Sequence, residues 1–419
     1  MKKRFLAMPT AVLATLALTA CGQLPGSGDG GSEKVTVWLM KGSASDDFID
    51  RFTKSFEKQH EDIDLDIRIQ EWTGIVDKVN GVLDGKETAD VIEVGNTQVA
   101  QYAETNGLSE LTLEGLRDWG AKDWLKGLAE PGSINGAQYG VPWYAANRVV
   151  IYNKQLFRDA GVTRLPKTRD EWIAATEKLD GDGRQGIYLP GQNWYVLAGF
   201  VWDEGGELAV EGGGQWNGAL DTPQALRGMK FYQELQALGQ GPKDADEETP
   251  PQAEVFARGQ VAQIIGPPGQ VSQILAAAPA LRDKIGFFPI PGKTAAKPGA
   301  VFTGGSDLII PAATEHRRAA IEVVTELVGE HWQTELAREM SYVPNKTTLA
   351  HVVEGNAGAA AMAVGAAQGR ATPKTGRWAE VEAKNPIKPY MTAVLLGEDP
   401  RTAARRASAT LTKVLSSDR

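Results

Sequence analysis

Cysteine is almost absent. The 419 residues hold one, Cys21, which excludes an internal disulfide and leaves the fold to be held by its core. Histidine is scarce too: His60, His316, His331 and His351 show no metal-ligand spacing, and no metal or cofactor is called for. Neither a nucleophile elbow nor a phosphate-binding loop is present. Positive charge is in deficit, with 44 lysines and arginines against 53 acids, a balance that argues against nucleic acid as a partner. After the N-terminal segment no run reaches about eighteen apolar residues, so no later transmembrane helix is expected.

What the first residues do contain is a targeting pattern. Lys2, Lys3 and Arg4 precede an apolar stretch, Phe5 to Ala17, which is too short to span a bilayer permanently. Leu18-Thr19-Ala20 then leads directly to Cys21, a pattern that resembles a bacterial lipoprotein signal. Residues 1–20 are read as the signal, with Cys21 as the lipidated N-terminus after cleavage. Residues 21–33, rich in glycine and serine, are read as a flexible tether. Loss of residues 1–20, which carry three basic and no acidic side chains, would leave a formal charge of −12. The remaining length suits two domains.

The chain then alternates strand and helix patterns. Val35, Val37 and Leu39 alternate as a strand, and Phe48, Phe52 and Phe56 mark one face of a helix. Leu65, Ile67 and Ile69 form a second strand, Ile75, Val79 and Val82 a second helix face, and residues 90–94 a third strand. This order implies crossover units and a largely parallel sheet, with ligands beyond the carboxyl ends of the strands. Further on, Thr168 and Glu171 have capping-box spacing, and Thr222-Pro223 suits a helix start. Residues 287–291 read as a short strand, and Val301 to Pro311 as one strand interrupted by Gly304 and Gly305. Thr314 is a candidate cap for the helix after it. Residues 355–369 read as a loosely specified helix, and Asp399 with Pro400 opens the last one.

Gln138 to Lys154 gathers the most informative chemistry. Trp143, Tyr144, Asn147 and Arg148 fall just before the apolar run Val149 to Tyr152. Flat apolar faces beside fixed hydrogen-bonding groups suit a pocket for a sugar, while a core strand with an amphipathic lead-in explains the same residues.

The motifs Val35-Thr-Val-Trp38, Ala89 to Val94, Tyr139 to Pro142 and Val150 to Lys154 resemble one known family, together with Pro166 to Trp172, Gly304 to Ser306 and Val343 to Asn345. These are the extracellular solute-binding proteins of bacterial carbohydrate ABC importers, the relatives of maltose-binding protein. The resemblance covers nearly the whole chain after the signal. It implies an α/β, two-lobed periplasmic-binding-protein-like fold of type II, each lobe a mostly parallel sheet flanked by helices, joined by hinge crossings. The N-terminal lobe would span 34–145 plus 303–347, and the C-terminal lobe 146–302 plus 348–419. Crossings would lie at 144–150, near 298–303 and near 345–350.

Carried over by position, the resemblance suggests sugar contacts from Lys41, Ser43 and Ser45, and from Asn96, Thr97 and Gln98, for which helix capping competes. Trp72 and Trp143 are platforms or core. Asn147 and Arg148 stand where the family places a hydroxyl-binding acid, but Ala146 occupies the aligned position, so maltose specificity does not transfer. Trp194 and Tyr195 match an aromatic wall of the second lobe. Gly304, Gly305, Ser306 and Asp307 would approach the sugar closely, and Trp378 matches a late platform. Pro267-Pro268-Gly269 replaces a further family tryptophan.

The implied function is a lipid-anchored receptor that captures a sugar, of two or more units, and delivers it to an ABC permease driven by a separate cytoplasmic ATPase. It would act as a monomer at the outer face of the cytoplasmic membrane. Three rivals remain: a glycosidase, a surface glycan-binding module without transporter, and the same fold binding a different solute. The acid pair considered for a glycosidase, Asp203-Glu204, is adjacent in sequence and need not face across a gap.

Overall fold

The computed structural model describes residues 32–416 except Thr73 and Asp182. The signal pattern, Cys21 and most of the tether lie outside the described residues. Two lobes of mixed α/β structure are built on separate sheets.

The first lobe grows from the strand Glu33–Met40, which pairs in parallel with Ile63–Gln70 on one side and Val91–Gly95 on the other. Its alternation sorts side chains to both faces. Val35, Val37 and Leu39 pack with Phe48, Phe52 and Phe56 of the helix Asp46–Gln59. Trp38 and Met40 point the other way, against Ile75, Val79 and Val82 of the helix Ile75–Leu83. Each crossover helix thus covers a different face. Trp332 closes the first layer, with edge contacts to Phe48 and Phe52 at 5.4 and 5.1 Å.

Within the six-stranded sheet, parallel pairing is confined to these three strands. Gly305–Ile309 joins antiparallel beside Val91–Gly95, followed by Val141–Ala145 and Val343–Pro344, also antiparallel. The six-stranded sheet is therefore mixed: Gly305–Ile309, which returns from the second lobe, runs against both of its neighbours, Val91–Gly95 and Val141–Ala145.

In the second lobe Val149–Asn153 is central, antiparallel to both Gln263–Gly266 and Ile285–Phe288. Val150 and Ile265 face a core containing Trp172, Phe200 and Phe231, while Val149, Ile151 and Ile264 face another with Phe256 and Met362. The helix Arg169–Leu179 starts with the expected capping box between Thr168 and Glu171. Arg169 itself is buried, ion-paired with Asp203 at 2.9 Å, hydrogen-bonded to Glu204 at 3.0 Å and lying over the Phe231 ring at 4.5 Å. Glu204 also receives Arg227 and Lys293, so this acid pair is tied into an ion cluster.

Several local expectations need correction. Val301 to Pro311 is two strands: Val301–Phe302 pairs with Gly369–Arg370, whereas Gly305–Ile309 belongs to the six-stranded sheet. The break is enforced at Gly305, whose φ is +146° and where a Cβ would lie 2.1 Å from the Tyr144 carbonyl oxygen. Thr314 does not cap the next helix. Its hydroxyl bonds Asp90, and Arg317–Leu327 begins after His316 without a side-chain cap. The strand expected at 287–291 is Ile285–Phe288. Among the described residues no helix is long and apolar enough to cross a membrane.

Asp307 is fully buried, and neither carboxylate oxygen has a hydrogen-bond partner among the described residues. Burial pushes its carboxyl well above the usual range. The folded state therefore keeps a proton that the unfolded chain releases, and stability falls as pH rises above the ordinary carboxylate range. Asp307→Asn has no proton to lose. Thermal unfolding should show it more stable than the parent at pH 8, with the gain vanishing near pH 4; a gain independent of pH would contradict this account.

Candidate ligand-binding cleft

Three passages carry the chain between the lobes and meet in one seam. Ala146 to Arg148 join Val141–Ala145 to Val149–Asn153, Thr303 and Gly304 join Val301–Phe302 to Gly305–Ile309, and Asn345 leads out of Val343–Pro344. The Ala146 amide donates to the Gly304 carbonyl at 2.9 Å. Asn147, with no exposed surface, donates from Nδ2 to the Met362 carbonyl at 3.1 Å. Asn345 Nδ2 donates to the Pro142 carbonyl at 2.9 Å, and Asn96 Nδ2 to the Thr303 carbonyl at 3.1 Å. Buried amides thus tie the crossings to a helix at Met362 and a strand at Pro142, and satisfy the irregular backbone at Thr303.

Against this seam lies a cleft of about 870 Å³. The first lobe supplies Trp72, Gly95, the Asn96–Gln98 turn, Tyr144, Ser306 and Tyr342. The second supplies Arg148, Tyr195, Glu248, Phe302, Glu382 and residues 267–273, a turn running into the helix Gln270–Ala277.

On the first wall the Tyr342 ring stacks on Tyr144, with centroids 4.1 Å apart and planes 9° from parallel. Tyr342 Oη donates to the Gly42 carbonyl at 2.9 Å. Beneath them Glu93, fully buried, accepts from the Met40 amide at 2.7 Å, Ser43 Oγ at 2.6 Å, Ser306 Oγ at 2.5 Å and Tyr144 Oη at 3.1 Å. Burial raises the Glu93 carboxyl to about 7, against the opposing pull of these donors. The carboxylate is a hub that fixes the tyrosine pair from behind.

On the second wall the Arg148 guanidinium lies over Tyr195 at 4.2 Å and bonds Glu247 at 2.6 Å. Phe302 packs beside Tyr195 at 4.8 Å. Glu382 bridges the walls, accepting from Thr97 Oγ1 at 3.2 Å and Trp378 Nε1 at 3.1 Å; burial raises its carboxyl to about 7. Stacked rings with fixed donors and acceptors between them suit a flat, hydroxyl-rich ligand.

Of the residues expected at the site, Trp72, Asn96, Thr97, Gln98, Arg148, Tyr195, Gly304, Gly305 and Ser306 line this cleft. The others are placed elsewhere. Trp143 and Trp378 have no exposed surface and Trp194 is 3% exposed, all three in lobe cores. Trp194 backs Tyr195 at 4.1 Å, and Trp378 lies behind that at 6.4 Å, so the second wall presents the tyrosine and keeps the indoles inside. Ser45 caps the helix Asp46–Gln59 and bonds Glu339, Ser43 serves Glu93, and Lys41 pairs at 2.7 Å with Glu71 on the surface. Asn147 and Asp307 are buried as described. Gly304 and Gly305 owe their small size to the seam, where backbone meets backbone.

The sequence points to Tyr144 in the Gln138–Lys154 stretch, but not to Tyr342, Phe302, Glu248 or Glu382. Glu382 had a signal: it follows Trp378 by four positions, the same face of the helix Trp378–Lys384. Tyr342 stands directly before Val343-Pro344-Asn345, behind Ser341, whose φ is +60°. That left-handed turn ends the helix Glu330–Met340 and directs the tyrosine toward the cleft.

A two-lobed α/β fold with a ligand-sized cleft at its crossings defines a class of hinged binding proteins. Residues 39–334 match the family described as bacterial extracellular solute-binding protein, and the chain belongs to that family. It is 38% identical to the diacetylchitobiose binding protein DasA of Streptomyces coelicolor, over 99% of both chains. It is 27% identical to a maltooligosaccharide ABC transporter solute-binding lipoprotein of Streptococcus pneumoniae, over 83% of this chain and 81% of the relative. In fold it is similar to the sugar-binding protein MalE of Xanthomonas citri, with a TM-score of 0.82 and 22% identity over 92% of this chain and 98% of that one.

Trp378→Ala leaves a large hole in the second-lobe core. It should destabilise the protein by about 3–5 kcal/mol, read from the denaturant midpoint. A midpoint unchanged from the parent would return Trp378 to the cleft surface.

Proposed function

We propose that this protein is a lipid-anchored extracellular receptor that takes a disaccharide or oligosaccharide into the cleft and hands it to the permease of an ABC importer. The observation that carries this reading is the pair of aromatic walls, Tyr342 on Tyr144 and Tyr195 under Arg148, facing one cleft from two lobes. The relatives' names point the same way, and diacetylchitobiose is the first ligand to try because the 38% identical relative binds it.

The lobes are assigned as 34–145 plus 303–347 and 146–302 plus 348–419, hinged at the seam. Closure around sugar follows if the ligand favours the closed form, since only differential affinity shifts the equilibrium. The protein itself catalyses nothing; a separate cytoplasmic ATPase drives transport, and the receptor acts as a monomer tethered through Cys21. Support for the anchor is the signal pattern before Cys21 and a relative described as a lipoprotein.

At one hundred times its dissociation constant, a bound saccharide should add about 2.7 kcal/mol to the unfolding free energy, seen as a raised Tm. Tyr342→Ala should weaken that ligand about tenfold, the scale of a lost aromatic platform. If the folded protein shows no Tm shift with diacetylchitobiose or with a panel of mono-, di- and oligosaccharides, the substrate class is wrong. For the anchor, cells making the full chain should incorporate labelled fatty acid into it, and Cys21→Ala should lose the label and appear in the medium. Label retained in that variant would place the lipid elsewhere.

A further inference from the structure

Charge along the cleft is unevenly matched. Arg148 is committed to Glu247 at 2.6 Å, and Glu339 is bonded by Arg51. The basic residues of the neighbouring segment are engaged elsewhere: Arg377 and Lys384 with Glu380, Lys388 with Asp246. Glu382 has no cation against it among the described residues. Its hydrogen bonds come from Thr97 Oγ1, reaching across from the first lobe, and from Trp378 Nε1 on its own helix. An ionised carboxylate offers about four lone-pair sites, so these two bonds leave acceptor capacity on a side chain that lines the cleft. Tyr195, on the same wall, lies within the field of this carboxylate.

We propose that Glu382 makes the cleft selective for sugars bearing a free, protonated amino group, such as glucosamine units, over sugars with hydroxyl or acetamido groups at that position. This rests on the saccharide reading above. A hydroxyl or acetamide N–H brings one donor, whereas an ammonium brings three donors and the charge that Glu382 lacks. Charge-assisted bonds of this kind are about twice as strong as neutral ones. Such a ligand also favours the ionised carboxylate, which burial alone opposes.

Three ligands share a β-1,4-linked glucose skeleton and differ at C2: the glucosamine disaccharide, diacetylchitobiose and cellobiose. Calorimetry at pH 7 should show the parent binding the glucosamine disaccharide about tenfold or more tighter than both neutral ligands. Glu382→Gln should erase that preference, so that within the variant the glucosamine disaccharide no longer binds tighter than cellobiose. A parent that binds saccharides but favours a neutral one, or shows no preference, overturns this inference and leaves the saccharide receptor standing. A preference that survives in Glu382→Gln overturns the role of this residue. A parent that binds no saccharide overturns both readings. If Glu382→Gln lacks a cooperative unfolding transition, the parental ranking of the three ligands decides alone.

Discussion

The contact on which the structure depends most is the one between crossing segments at Ala146 and Gly304. A single backbone hydrogen bond of 2.9 Å joins them, and Gly305 lets the second segment approach the Tyr144 carbonyl as no other residue would. Everything that makes a cleft follows from this proximity. The strand Val141–Ala145 ends in one lobe and Val149–Asn153 begins in the other, so the wall residues Tyr144 and Arg148 are separated by only the crossing itself. Asn96 bonds the Thr303 carbonyl and thereby ties the end of a parallel strand to the same seam. Rigid sheets on either side and irregular, amide-satisfied backbone between them are the arrangement a hinge needs.

Behind the first wall the Glu93 hub extends this logic to side chains. Four donors converge on a carboxylate with no access to water, and one of them is the hydroxyl of Tyr144. Removing a charge from water is costly, and burial accordingly raises this carboxyl to about 7. Protonated or ionised, Glu93 holds Ser43, Ser306 and Tyr144 in one geometry, and Tyr342 inherits its orientation by stacking. Ordering these groups before the ligand arrives reduces what binding must spend on fixing side chains.

Much of the fold was legible in the sequence because burial has a period. The Val35 alternation, the Phe48 repeat and the capping box at Thr168 each appear where the pattern put them. The candidate site was less legible, since no period distinguishes a cleft wall from a core. Trp194 and Trp378 have the size and the motif position of platforms, yet each is sealed behind a smaller ring, Tyr195. A tryptophan gains more from full burial than from half exposure, so position in a motif underdetermines its role. Thr314 failed as a cap for a local reason: its hydroxyl oxygen accepts from the His316 amide, one turn too early for the helix, while its proton goes to Asp90.

The lobes touch across the cleft. Thr97 donates to Glu382, and the Gly376 amide donates to Glu104 at 2.8 Å, both from one lobe to the other. These bonds favour proximity of the walls, and a ligand shifts the balance between open and closed forms only by its differential affinity for them. Ligand that met the Tyr342 and Tyr195 faces together would be recognised only by the closed form, because each face belongs to a different lobe. Closure and recognition are then one event, to which the hydrogen bonds between the walls contribute.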